Sequence, residues 1–237
     1  MKTLIILLYL NQIFCNTLCR KKYQNDEDCE VRYPKLGKFT TAYPWSYVKR
    51  NPKQPFSDFA NVESRPACRM DSPGTINTKF LIFNRANNFS ITDPMEFDPM
   101  EDASTLNASG YLKHAKTLFF VHGWTASSTV NDTSDEPTLQ LRLLVQEVQA
   151  MQVDINLIFV DWTNGAKYLR YWLAATNCEV VGRQIGYFIK SAIDEDLNNI
   201  DDFHVAGHSL GAHIAGYAGK FIQREMPGTI LPRITGT

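Results

Sequence analysis

Near its carboxyl end the chain reads FHVAGHSLGAHIAGYAGKF, residues 203–221, and the centre of that stretch, Gly207-His208-Ser209-Leu210-Gly211, spells G-x-S-x-G. This pattern presents a serine hydroxyl on a sharp strand-to-helix turn, the geometry an acyl-transfer nucleophile needs. Gly207 and Gly211 relieve the crowding that side chains would cause where strand and helix meet. The Ser209 hydroxyl is then expected at the carboxyl end of a sheet, beside a helix N-terminus that favours developing negative charge. The Leu210 N–H, next in sequence, can serve one side of an oxyanion hole. A second donor is offered by VHGW, residues 121–124, where the loop after a buried strand can bring the Trp124 N–H toward Ser209. Two plainer readings compete: an idle serine at a Gly-rich junction, and a turn with a packed aromatic. The strand before the motif and the helix after it favour the catalytic one.

A nucleophilic serine also needs a base within about 3 Å. The five histidines are His114, His122, His204, His208 and His213. His208 should point away from Ser209, His204 lies on the strand behind it, and His213 faces it only obliquely. His122, in the oxyanion loop, is the resident stand-in the sequence offers. Asp161 ends a strand at the same face, where a strand-capping hydrogen bond is its expected task.

The elements that must carry these residues alternate along the chain. TLFFVHGW (117–124) and NLIFVDW (156–162) are continuous apolar runs of the kind buried on both faces of a parallel sheet. Between them TLQLRLLVQEVQAM has helical spacing, with Leu139, Leu143, Leu144 and Val148 read as its buried stripe. A second helix is expected from about Tyr168 to Ile193. After Ser209 a third offers Ala212, Ala215, Gly216 and Gly219 as a small-residue face. Strand and helix alternation predicts an α/β fold with right-handed crossovers. INTKFLIFNR (76–85) is the first convincing strand. The near-repeat Asp93-Pro94-Met95-Glu96 and Asp98-Pro99-Met100-Glu101 reads as a solvated loop, its prolines forbidding a central strand. A calcium site on that acidic loop is the weaker alternative, and neither metal nor cofactor is expected.

Composition sets the outer bounds. With 237 residues, 44% of them hydrophobic, the chain can bury one sizeable core. Its 24 basic and 25 acidic residues leave a net charge of −1, without the basic footprint that nucleic acid requires. The apolar run Leu4–Leu10 is too short to span a bilayer and reads as the heart of a secretory signal peptide over residues 1–19. Residues 20–75 read as an irregular N-terminal extension and 76–237 as the main domain. Asn-x-Ser/Thr acceptors at Asn88, Asn107 and Asn131 fit an exported glycoprotein. A Cys29–Cys68 disulfide is one possible pairing, since spacing alone does not fix connectivity.

AGHSLGAHIAG, FFVHGW, FVDWTNGA and LPRITG together resemble the animal lipase family typified by pancreatic lipase. TAYPWSYV and INTKFLIFNR are similar to its N-terminal region, so the resemblance covers roughly residues 31–237. It implies an α/β-hydrolase fold, a mostly parallel central sheet flanked by helices. It also implies extracellular hydrolysis of lipid carboxylic esters at a lipid–water interface, with Ser209 as nucleophile and the Trp124 and Leu210 N–H groups as oxyanion hole. There are two departures. Arg32 and Lys38 stand where the family usually has a cysteine pair closing a small loop. The family's triad aspartate follows R-I-T-G by two residues, and its histidine, lid and C-terminal lipid-binding domain lie further on, none of them within these 237 residues. The expectation is therefore an incomplete copy, nearly inactive and marginally stable alone. The alternative is a naturally short, non-catalytic secreted protein that binds lipid or a partner.

Overall fold

The computed structural model describes residues 30–40, 70–108, 110–124, 136–168 and 171–237. The expected signal peptide, Cys29, Cys68, the TAYPWSYV segment and Asn131 lie outside the described residues. The chain divides into two units, Met1–Arg69 and Met70–Thr237.

In the first unit, within the stretch expected to be irregular, a hairpin pairs β1 (Glu30–Tyr33) with β2 (Gly37–Thr40). The turn between them is built from Pro34, Lys35 in a left-handed conformation (φ 64°) and Gly37 (φ 80°). Arg32 stands opposite Lys38 in the register. The positions where the resemblance expects a cysteine pair are thus direct cross-strand neighbours.

The second unit begins with a short helix, α1 (Pro73–Ile76), whose N-cap Ser72 accepts from the Thr75 N–H. Strands β3 (Lys79–Phe83), β4 (Met95–Phe97), β5 (Lys116–Val121), β6 (Ile155–Asp161), β7 (Phe203–Gly207) and β8 (Arg233–Gly236) form one six-stranded sheet in the order β4-β3-β6-β5-β7-β8. The run β6-β5-β7-β8 is parallel, and β3 joins β6 antiparallel with β4 antiparallel outside it. This is the α/β architecture the alternating pattern predicts. The expected loop carrying the near-repeat, residues 89–104, contains β4, a departure with a simple cause. Met95–Phe97 lies between the two prolines, and an edge strand of three residues bonds on one side only.

Helix α2 (Glu136–Ala150) joins β5 to β6, α3 (Thr163–Ala166) and α4 (Tyr171–Asp194) join β6 to β7, and α5 (Leu210–Glu225) joins β7 to β8. The buried stripe of α2 differs from the expected one. Leu141, Val145 and Val148 are buried against Leu81, Phe83, Leu157 and Phe159, with Leu144 partly buried beside them, while Leu139 and Leu143 are exposed. The run LQLRLL carries two apolar stripes at helical spacing, and the sheet takes only one of them. Elsewhere, Phe188 of α4 centres an aromatic cluster, its ring edge-on to Phe80, Phe97 and Phe119 at 5.4–5.5 Å.

Small residues let α4 and α5 approach closely, and most of the room is on α4. A Cβ on Gly182 would lie 2.4 Å from Tyr217 Cβ, and one on Gly186 would lie 2.6 Å from the Phe221 ring. Of the face expected on α5, Ala215 is buried and Gly219 admits Ile234 of β8, but Gly216 faces open space.

Candidate active site

The sheet supplies the site through the carboxyl ends of two adjacent parallel strands. β5 ends at Val121 and β7 at Gly207, which are register partners. The β5–β6 connection runs to one side of β5 and the β6–β7 connection crosses to its other side, the reversal at which α/β sheets place their ligand sites. Ser209 stands there, exposed, with φ 55° and ψ −119°. That conformation is strained for any residue with a side chain and is sustained only where neighbours fix it.

The neighbours can be named. The His208 N–H donates to the Val121 carbonyl at 3.0 Å, and the Ser209 N–H donates to the main-chain oxygen of Thr237 at 2.8 Å. The Gly211 N–H donates to the His208 carbonyl at 2.8 Å, and the Ala212 N–H to that of Ser209 at 3.0 Å. Among the described residues the Leu210 N–H, at the first position of α5, meets no backbone acceptor. The two glycines of the motif are required by contact. A Cβ on Gly207 would sit 2.1 Å from the Gly211 carbonyl oxygen, and one on Gly211 would sit 2.1 Å from that of Val121.

The turn after β5 comes equally close. A Cβ on Gly123 would lie 2.9 Å from Ser209 Cβ and 3.2 Å from the His208 carbonyl oxygen, so the main chain at His122–Trp124 runs directly beside the serine. The Trp124 indole N–H donates to the Tyr168 carbonyl at 2.8 Å, and its ring meets Tyr171 edge-on at 5.2 Å. Both aromatics stay partly exposed at the rim.

The histidines divide clearly. His122 is buried between Phe159 and Trp162, ring centroids 5.7 and 5.5 Å away. Its Nδ1 bonds the Gly123 carbonyl at 2.9 Å, and Nε2 accepts from the Trp162 N–H at 3.4 Å. Both ring nitrogens are engaged by main-chain groups, which overturns its reading as a stand-in base. His204 Nε2 bonds Thr235 Oγ1 at 3.0 Å across β7 and β8, and burial with the nearby Arg233 charge holds its pKa below the ordinary imidazole value. Asp161 accepts from the N–H and hydroxyl of Thr163 at 3.0 and 2.6 Å, the capping task expected of it. No described residue hydrogen-bonds the Ser209 hydroxyl.

Beneath the motif lies Cys178, fully buried on α4, its thiol 3.8 Å from the Leu210 carbonyl. Burial pushes its pKa far above the ordinary thiol value, so it packs as a small apolar group. Sequence reasoning missed the buried Asn177 on the same helix. Its Oδ1 accepts from the Asp71 N–H at 2.8 Å, and its Nδ2 donates to Asp71 Oδ2 at 2.9 Å and to the Gly165 carbonyl at 3.2 Å. The signal available was an amide at an apolar stripe position of a long helix, which must find partners when buried.

The glycosylation candidates fall differently. Asn88 is exposed in a left-handed turn (φ 54°), and Asn107 lies in a short 3-10 segment, Ala103–Ala108. In the acidic loop, Glu96 pairs with Lys79 at 2.6 Å and Asp98 accepts from the Met100 N–H at 2.8 Å. Among the described residues, no helix is long and apolar enough to cross a membrane.

A family profile described as Lipase matches residues 42–237. The chain is 32% identical over 212 residues to pancreatic triacylglycerol lipase of Myocastor coypus, covering 87% of this chain and 38% of that protein. It is 32% identical over 209 residues to pancreatic lipase-related protein 2 of Cavia porcellus, covering 87% of this chain and 40% of that protein. It is 34% identical over 210 residues to inactive pancreatic lipase-related protein 1 of Mus musculus, with 87% and 37% covered. The matches thus span about two fifths of these relatives' length. With the motif-bearing turn, the parallel sheet and a profile match over most of its length, the chain belongs to the lipase family.

Proposed function

We propose that the protein is a secreted carboxylic ester hydrolase acting on lipids, with Ser209 as its nucleophile. One observation carries this reading above all. A serine held at positive φ, exposed at the carboxyl end of the sheet, has the Gly123 main chain at its side and a helix N-terminus below it. In the proposed reaction Ser209 Oγ attacks the ester carbonyl carbon and its proton passes to an imidazole base. The tetrahedral oxyanion is held by the N–H groups of Trp124 and Leu210. The carbon–alkoxide bond then breaks, the alcohol leaves with that proton, and water cleaves the acyl-enzyme to the free acid.

With His122 and His204 engaged in hydrogen bonds of their own, the base is proposed as a histidine from the remaining length of the family's chains. The substrate is proposed as a triacylglycerol or phospholipid ester met at a lipid–water interface, consistent with the relatives' names. Residues 1–19 are proposed as a signal peptide, 20–75 as an N-terminal extension and 76–237 as hydrolase domain. Asn88, Asn107 and Asn131 are proposed glycan acceptors in an extracellular protein.

A second reading has its own support. One relative at 34% identity is named as inactive, and the Ser209 hydroxyl has no hydrogen-bonded partner among the described residues. On that reading the chain is a secreted lipid- or partner-binding homologue. Short-chain ester hydrolysis tests the two, using the 237-residue chain and a version extended to family length. The hydrolase reading expects residual turnover from the former and Ser209-dependent turnover from the latter, lost in Ser209→Ala. An extended chain without turnover supports the binding reading. Robust turnover by the shorter chain, abolished by Ser209→Ala, would show that a resident group acts as base.

A further inference from the structure

The turn that presents the Trp124 N–H is fastened to the segment after β6 at two points, each by an indole. Trp162, at the end of β6, donates its indole N–H to the His122 carbonyl at 3.0 Å. Trp124 donates in the opposite direction, to the Tyr168 carbonyl at 2.8 Å. Two oppositely directed bonds between the same two segments restrain both translation and twist, which one bond does not. The segment they grip is itself pinned. Asn177 is fully buried, and its amide bonds the Gly165 carbonyl on one side and Asp71 on the other. A side-chain amide has two donors and one carbonyl acceptor, and here all are used, joining α4, α3 and the stretch before α1. Gly165 leaves little slack: a Cβ there would meet Ile76 Cγ2 at 3.0 Å and Trp162 Cε3 at 3.2 Å.

We propose that Asn177 is a positioning residue which, with Asp71 and the indoles of Trp162 and Trp124, clamps the His122–Trp124 turn so that the Trp124 main-chain N–H stays aimed beside Ser209. The proposal rests on the oxyanion role proposed above. An N–H that stabilises a developing charge works only if its direction is fixed in advance, and misplacement by about 1 Å is costly. A loop residue has no ladder to supply that order, so neighbouring groups must. The Asp71 carboxylate also bears on the Tyr168 phenol, raising its pKa above the ordinary phenol value. Trp124 accordingly has a task no plain apolar residue performs, because its indole carries a hydrogen-bond donor on an apolar body.

The test reads the clamp without needing turnover. The full chain is labelled with 15N at its tryptophan indoles, and the Trp124 and Trp162 signals are assigned by single Trp→Phe variants. Solvent exchange of each indole N–H is then compared among the unsubstituted chain, Asn177→Ala, Asp71→Ala and Asp71→Asn. Asp71→Asn keeps both the main-chain donor and a side-chain acceptor for Asn177. The expectation is that Trp124 exchange accelerates about ten-fold or more in the two Ala variants, that Trp162 changes by less than about two-fold, and that Asp71→Asn restores protection. Parallel acceleration of both indoles would show only general loosening, and unchanged Trp124 exchange in folded variants would show that the turn is held by other means. Either result overturns the proposal. The reading beneath it is checked separately by titrating butylboronic acid and following the Trp124 main-chain amide. No Ser209-dependent shift in the unsubstituted chain would remove the oxyanion assignment, whereas the exchange pattern would still decide whether the clamp exists.

Discussion

Ser209 occupies φ 55° and ψ −119°, a region that suits glycine and costs other residues about 1–3 kcal/mol. The surrounding bonds hold it there, so the strain belongs to presenting the hydroxyl and not to the stability of the fold. Ser209→Gly is therefore expected to raise unfolding free energy by about 1 kcal/mol in urea titrations while removing the nucleophile. A variant less stable than the parent would show that the side chain contributes contacts outweighing the strain. The flanking glycines behave in the opposite sense. Gly207→Ala drives a methyl into the Gly211 carbonyl and Gly211→Ala drives one into that of Val121, each at 2.1 Å before relaxation. Both neighbours are backbone and cannot swing aside. A loss of about 3 kcal/mol or more is expected for either, or failure to fold. Gly216→Ala, with nothing within 4 Å, is the control and should gain about 1 kcal/mol of helix stability.

At the scale of elements, β7 and β8 share the His204–Thr235 bond, and burial and the Arg233 charge lower the His204 pKa. A histidine whose folded pKa lies below its unfolded value leaves the unfolded state binding more protons as pH falls. Its contribution is fully present above the unfolded value of about 6.5 and is lost as pH drops toward the folded value. Stability is thus expected to decline below about pH 6.5, and His204→Gln should flatten that decline; an unchanged pH profile would assign it to other groups. In the hairpin, Arg32 opposes Lys38, and cross-strand partners lie about 4.5–5.5 Å apart at Cα, within disulfide reach. The double variant Arg32→Cys, Lys38→Cys should oxidise spontaneously, read as loss of titratable thiol and a mass lower by two hydrogens. Persistently reactive thiols would contradict the register. The sequence carried much of this scale. Continuous apolar runs marked β5 and β6, and the nucleophile motif placed β7 and α5 because its residue types are set by the strand-to-helix turn itself, where Gly207 meets the Gly211 carbonyl. What escaped it depended on partners far along the chain. LQLRLL does not say which stripe the sheet will take. Gly182 and Gly186 look idle until Tyr217 and Phe221 occupy the space they leave. His122 looked available as a base until Phe159 and Trp162 closed over it.

For the molecule as a whole, the unused stripe of α2 has consequences for behaviour in solution. Leu139 and Leu143 are 52% and 51% exposed on one side of the helix, and Met151 and Val153, 62% and 48% exposed, follow at its end. Such apolar surface associates unless charge keeps copies apart, and a net charge of −1 with a pI near 6.5 gives little repulsion at neutral pH. Self-association is therefore expected to rise with concentration and to be strongest near pH 6.5, as measured by static light scattering. Replacing both leucines by glutamine removes apolar area at constant charge, and replacing both by glutamate adds two negative charges as well. Neither pair touches the buried Leu141–Val145–Val148 stripe, so unfolding free energy should change by no more than about 0.5 kcal/mol per site. If apolar contact drives association, the glutamine pair suffices to suppress it; if weak charge repulsion is the main cause, only the glutamate pair does. Scattering that neither pair alters would place the associating surface elsewhere, and the exposed Ile230 and Ile234, at 68% and 44%, would be the next to replace.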